Sequence, residues 1–96
     1  MGDRILTQHP EMKKGVNIRR DKYEQVRDAI QASLREEGAQ TFQALSEAVK
    51  QKLAGNFDGS IGWYFTTVKL DLEARGAIVC ERRSGQPQMI RLATNE

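Results

Sequence analysis

Three runs of apolar residues at helical spacing, each followed by a glycine, constrain this chain more than any other feature of its sequence. Within each run the apolar residues recur at intervals of three or four, which places them on one face of a helix. Glycine is the residue that most often ends a helix, and Gly38, Gly55 and Gly76 follow the three runs. The pattern therefore predicts helices near residues 22–37, 42–54 and 60–75. Their predicted core residues are Tyr23, Val26, Ile30, Leu34, Phe42, Leu45, Val49, Leu53, Ile61, Phe65, Val68 and Leu72.

Polar residues that can cap a helix precede each of these runs. Asp21 and Glu24 have the spacing of a capping box, in which each side chain accepts a hydrogen bond from the backbone of the first turn. Thr41 is a favourable N-cap for the second helix. Either Asp58 or Ser60 can cap the third.

After Gly76 the apolar spacing changes from helical to alternating. Ile78 and Cys80 fall on one face of a strand, and Ile90 and Leu92 alternate in a second run. The turn-forming residues of the segment RSGQP separate the two runs. We therefore predict a β-hairpin over residues 77–93, whose apolar residues Ile78, Ile90 and Leu92 complete the core.

The first twenty residues show no helical periodicity. Pro10 and Gly15 interrupt any regular pattern, while Val16 and Ile18 alternate as in a short strand. We predict an extended N-terminal arm at 1–20, one domain at 21–93 and a tail at 94–96. The basic arm residues Lys13, Lys14, Arg19 and Arg20 leave two alternatives open. The arm either lies along a nucleic acid or packs back on Trp63 through Val16 and Ile18.

Length and composition are those of one soluble globular domain. The 96 residues are 39% hydrophobic and 29% charged, and the net charge is +2. The longest apolar run near the C-terminal end, residues 77–80, is far too short to span a membrane, so we expect no membrane partner. The N-terminus has no apolar signal region, and a single cysteine suits a reducing compartment. These features predict a cytoplasmic protein.

The order of three helices and a hairpin resembles the winged helix-turn-helix superfamily. Residues 72–78 (LEARGAI) are similar to the end of a recognition helix, its glycine stop and the first wing strand of many bacterial regulators. Residues 41–45 (TFQAL) are similar to the opening of their second helix. The resemblance covers roughly residues 22–93 and implies an α+β winged helix. The whole chain, including residues 13–23 (KKGVNIRRDKY), also resembles a small family of uncharacterised bacterial proteins.

The sequence argues against an enzyme. The one histidine, His9, lies in the arm, and Cys80 is expected to be a buried structural thiol. No Cys/His cluster has the spacing of a metal site, and no glycine-rich phosphate loop follows a strand. Asp71 and Glu73 lie two apart on a helix, do not face each other, and are expected to be solvated. We therefore predict no catalytic residue, no cofactor and no metal.

Double-stranded DNA is the partner that the winged-helix resemblance implies. In that fold the exposed face of the third helix enters the major groove and the wing touches the DNA backbone. The acidic residues Asp71 and Glu73 count against such contacts. The predicted function is a small DNA-binding or transcription-regulator-like protein. Its candidate contact residues are Lys50, Lys52, Thr66, Thr67, Lys69, Arg82 and Arg83.

A protein partner is the alternative. Trp63 and Leu70 lie seven residues apart and therefore on one face of the third helix, outside its core stripe. Tryptophan is enriched among the residues that anchor protein interfaces. The same fold could therefore act as a protein-interaction module, as a homodimer or with another protein, without binding DNA.

Overall fold

A computed structural model describes residues 4–9, 15–55, 57–82 and 84–93. The protein is a mixed α+β structure, and its described part contains three helices and two small antiparallel sheets. The elements in chain order are β1 (Arg4–Leu6), β2 (Asn17–Arg19), α1 (Arg20–Glu37), β3 (Gln40–Thr41), α2 (Phe42–Leu53), α3 (Ile61–Ala74), β4 (Ile78–Glu81) and β5 (Met89–Leu92). None of the helices in these ranges combines the length and the apolar character that crossing a membrane requires.

The three predicted helices are confirmed, and two of their caps are the predicted ones. The Thr41 hydroxyl accepts a hydrogen bond from the Ala44 N–H at 3.1 Å, and the Ser60 hydroxyl accepts one from the Trp63 N–H at 3.2 Å. Gly38 ends α1 with a φ of 76°, a conformation that favours glycine. Of the two residues predicted as possible caps of α3, Asp58 and Ser60, it is Ser60 that caps the helix.

The predicted capping box at the start of α1 is wrong. The helix begins at Arg20, and its N-cap, Arg19, makes no side-chain capping bond. Asp21 lies inside the first turn, where its carboxylate accepts from the Lys22 N–H at 2.9 Å and from the Arg19 guanidinium at 3.0 Å. Because the chain enters α1 directly from a β-strand, the helix starts before the residue that the capping pattern indicated.

The core lies where the three helices meet the three-stranded sheet. Most predicted core residues are buried there, and Ile18 of the arm joins them. Phe42 is an exception, because 39% of it is exposed. It is the first residue of α2, and its ring contacts Phe65 from the side with the centroids 5.2 Å apart. Ile61 and Leu92 are half-buried at the edge of the core.

The three-stranded sheet has the order β3-β5-β4. β4 and β5 pair antiparallel, with Cys80 opposite Ile90, within the segment predicted as a hairpin. β3, which was not predicted, pairs with the other edge of β5 through Gln40 opposite Ile90. The buried Gln40 amide also donates to the Ser33 carbonyl at 3.0 Å. The short strand between α1 and α2 thereby ties the sheet to the helices.

The arm, defined here as residues 4–9 and 15–19, forms a two-stranded antiparallel sheet on the surface of the helices. Ile5 of β1 lies opposite Ile18 of β2, and Ile18 is buried in the core. Of the two alternatives for the arm, the one in which it packs on Trp63 is not observed, since 48% of that residue is exposed. The predicted tail at 94–96 lies outside the described residues.

Candidate functional site

The side of α3 that faces away from the core is the candidate binding surface. Phe65, Val68 and Leu72 turn inward and are buried. The opposite side, called the outer face below, consists of Trp63, Thr66, Thr67 and Leu70. Trp63 and Thr66 are exposed, whereas Thr67 and Leu70 are half-buried.

A chain of aromatic contacts fixes the start of α3. The Trp63 ring stands edge-on to Tyr64 with the centroids 5.0 Å apart, and Tyr64 stands edge-on to Phe57 at 5.1 Å. The Lys22 ammonium of α1 lies 5.0 Å from the centre of the Phe57 ring and donates to the carbonyl of Asp58. The loop before α3 is thus held against α1, while the indole of Trp63 stays accessible.

The arm lies along one flank of the outer face. Thr67 and Leu70 share a cavity of about 100 Å³ with the arm, whose lining residues there are Thr7, Gln8, His9, Gly15 and Val16. Next to this cavity the Gln8 N–H donates to the Asp71 carboxylate at 2.8 Å. The half-burial of Thr67 and Leu70 follows from this contact with the arm.

The β4–β5 loop, of which the structure describes residues 82 and 84–88, lies on the other flank. Lys69 is only 6% exposed, and its ammonium lies 3.7 Å from a Glu73 carboxylate oxygen and 3.5 Å from the Gln88 side-chain oxygen. It also lies 5.8 Å from the centre of the Phe42 ring. Lys69, one of the predicted DNA contacts, is therefore buried and paired with Glu73. It links α3 to the β4–β5 loop.

The two flanks are on opposite sides of the helix. Successive residues of an α-helix are rotated by about 100°, so Lys69 and Asp71 point about 160° apart. Lys69 reaches the β4–β5 loop and Asp71 reaches the arm. The outer face therefore runs between the arm and the β4–β5 loop.

The remaining predicted contact residues are dispersed. Lys50 is exposed on α2, and Arg82 is exposed where the β4–β5 loop begins. Lys52 pairs with Glu36 at 3.0 Å in the groove between α1 and α2, away from the outer face. Arg83 lies outside the described residues. Among the predicted site residues that the structure describes, Trp63, Thr66, Thr67 and Leu70 share one face.

Asp71 is the residue that the sequence-based reasoning missed. It was expected to be solvated, yet its exposed fraction is 0%. Its carboxylate accepts hydrogen bonds from the Tyr23 hydroxyl, from the Gln8 N–H, and from Arg75 Nε at 2.8 and 2.9 Å. The spacing of Asp71 and Arg75, four residues apart, was the available sequence signal.

This network changes the acidity of its members. Burial, followed by the hydrogen bond to Asp71, raises the pKa of Tyr23 to about 12. The hydrogen bond to Asp71 raises the pKa of Arg75. Both shifts favour a protonated phenol and a charged guanidinium around one buried carboxylate. The network is therefore a fixed ion pair with a neutral tyrosine.

Cys80 lies beside the Lys69–Glu73 pair. The residue is half-buried, and burial raises the pKa of its thiol, an effect that the charge of Lys69 partly offsets. A raised pKa favours the thiol over the nucleophilic thiolate. Among the described residues, no three His, Cys, Asp or Glu side chains lie close enough together to bind a metal ion.

Comparison with known proteins identifies a family for this chain. Neither the curated proteins nor the solved structures include a match to it. A family model does match residues 4–89, which extend from β1 to the first residue of β5. This agrees with the predicted likeness to an uncharacterised family. The chain belongs to the family of unknown function DUF6958.

Proposed function

We propose that this protein is a non-enzymatic DNA-binding domain of the winged-helix type, in which the outer face of α3 enters the major groove. The observation that supports it best is the position of that face between the arm and the β4–β5 loop. The order of α1, α2 and α3 followed by the paired strands β4 and β5 also fits a winged helix. In this proposal the β4–β5 loop is the wing.

The dimensions and chemistry of α3 suit this role. Its 14 residues give a length of about 21 Å, and the major groove is wide enough to admit a helix. The hydroxyl of Thr66 is exposed and can donate to or accept from base edges and phosphates. Thr67 is less accessible because the arm lies beside it.

The positive charge for phosphate contacts comes from the flanks rather than from α3. Lys69 is paired with Glu73, and Asp71 is paired with Arg75, the C-cap residue of α3, so the charges of the helix and its C-cap cancel. Arg82 on the β4–β5 loop and Lys50 on α2 are exposed. Lys13 and Lys14 belong to the segment that joins the two arm strands and lie outside the described residues. Few phosphate contacts are therefore expected, with a shallow dependence of affinity on salt.

Fluorescence anisotropy with mixed-sequence duplexes tests the proposal. For about three phosphate contacts, counterion release predicts a loss of affinity of about 40-fold between about 50 and 200 mM salt. Arg82→Ala should flatten the salt slope by about one unit. Arg35→Ala is the matched control, since it removes the same charge from an exposed position in the last turn of α1. If the unmodified protein shows no binding at the lowest salt, the DNA proposal is wrong.

A protein contact is the second candidate, and the exposure of Trp63 favours it. Trp63 is 48% exposed, and none of the four residues of the outer face is charged. Leu70 lies half-buried on the same face, two turns further along the helix. Such a face suits a second copy of this chain or another protein. Light scattering measures the mass of the protein and of Trp63→Ala, with Leu6→Ala as the control for loss of an exposed apolar side chain. A monomeric mass for the unmodified protein rejects the homodimer, and a dimer that survives Trp63→Ala rejects Trp63 as its anchor.

A further inference from the structure

Asp71 is a buried charge that connects three elements. Burying a carboxylate is unfavourable unless hydrogen bonds and an opposite charge compensate for the lost hydration. Its donors come from the arm (Gln8 N–H), from α1 (Tyr23 hydroxyl) and from the C-cap of α3 (Arg75). Through the bond from the Gln8 N–H, Asp71 joins the arm directly to the flank of the outer face.

A second contact and a tight backbone approach support the same placement. The Arg75 guanidinium, held by Asp71, also lies 3.5 Å from the Leu6 carbonyl of the arm. Thr7, which lies between Leu6 and Gln8 in the chain, is 4% exposed. Its N–H donates to the Val16 carbonyl at 2.8 Å. A Cβ atom on Gly15 would lie 1.7 Å from the Thr7 carbonyl oxygen, so a larger residue at position 15 would force the arm strands apart.

We infer that Asp71 is a positioning residue for DNA binding, which holds the arm beside the outer face of α3 so that the two form one rigid binding surface. This inference takes its partner, the phosphate backbone, from the proposed function. The arm carries the exposed basic residue Arg4, whereas its exposed Arg19 is paired with Asp21 at 3.0 Å. A docked arm presents the charge of Arg4 without the entropic cost of ordering a free segment when DNA binds.

Two substitutions release the arm from different sides. Asp71→Asn keeps the size of the side chain, but its NH₂ group brings two further donors into a site that already holds three. Gly15→Ala acts within the arm and leaves the carboxylate unchanged. The matched control is Asp28→Asn, which removes the same charge from an exposed position on α1.

Amide hydrogen exchange measures whether the arm is released. In both variants the Gln8 amide should exchange at least about tenfold faster, while the amides of α2 keep their rates. Asp28→Asn should change neither set. Unchanged exchange at Gln8 in both variants would overturn the inference. Equal acceleration in α2 in both variants would also overturn it, because arm and core would then open together.

DNA titrations on the same samples separate this inference from the proposed function. Release of the arm should weaken binding about tenfold at constant salt slope, because the charges remain and only their ordering is lost. Variants with a released arm and undiminished affinity would show that the arm is not positioned for DNA. If the unmodified protein does not bind DNA, the proposed function and the DNA role of the arm both fail. The exchange data still determine whether Asp71 holds the arm.

Discussion

Replacing Tyr23 by phenylalanine removes one hydroxyl group from the core and keeps the ring. Tyr23 is 4% exposed, and its hydroxyl donates to the buried carboxylate of Asp71. Hydrogen bonds to charged groups contribute about 1.5–3 kcal/mol when the partner would otherwise be left buried. Since Gln8 and Arg75 still donate to Asp71, we expect Tyr23→Phe to lower the free energy of unfolding by about 2 kcal/mol at neutral pH.

This loss of stability should shrink in alkali. The pKa of Tyr23 rises from 10.0 to about 12 in the folded protein. Between these two values the unfolded chain releases the phenol proton while the folded protein keeps it. The folded state then binds more protons, so its stability falls as pH rises. Two pKa units correspond to about 2.7 kcal/mol. This contribution of the Tyr23 phenol to the free energy of unfolding is fully present below pH 10 and is lost by about pH 12. Tyr23→Phe has no phenol and lacks the contribution.

Urea unfolding followed by circular dichroism measures the difference between the two proteins. At neutral pH the unmodified protein should be more stable by about 2 kcal/mol. The difference should approach zero as the pH rises from 10 to about 12. Other groups that titrate in this range are common to both proteins and cancel in the comparison. A difference that stays constant across this interval would refute the assignment of a raised pKa to Tyr23.

Two further substitutions test the core and a helix cap. Phe65→Ala should lower the free energy of unfolding by about 3–5 kcal/mol in chemical denaturation, because the ring is 1% exposed; a loss well below 1 kcal/mol would place the ring at the surface. Thr41→Ala should lower the melting temperature by an amount equivalent to about 1 kcal/mol, because its hydroxyl caps α2. The exposed Thr66→Ala is its control, and equal effects of the two would contradict the capping role.

The helices could be predicted because their stability depends mainly on an apolar stripe, which the sequence displays directly. β3 could not, since two residues are too short to show an alternating pattern. Its Gln40 is polar yet buried, because its amide donates to the carbonyl of Ser33. Hydrophobic periodicity contains no signal for a polar residue that is buried through a specific hydrogen bond. Phe42 illustrates the converse, since it fits the apolar stripe but lies at the helix start, where one side of its ring meets solvent.

The candidate site was harder to predict because the direction of a long or charged side chain depends on neighbouring elements. Lys69 and Asp71 were both expected at the surface, and both are buried on opposite flanks of α3. Each is paired with a residue four positions later, Glu73 and Arg75 respectively. Periodicity assigns these residues to the helix, but it does not show that each pair meets the β4–β5 loop or the arm.

These two pairs also determine what a partner of α3 can recognise. Because each pair neutralises its own charge, the outer face between them carries none. Recognition by α3 itself therefore depends on the exposed indole of Trp63 and the exposed hydroxyl of Thr66. Attraction to phosphate must come from the neighbouring basic residues, such as Arg82. If removing the Arg82 side chain weakens binding and flattens its salt dependence, the partner is DNA. If removing the Trp63 side chain weakens a binding that does not depend on salt, the partner is a protein.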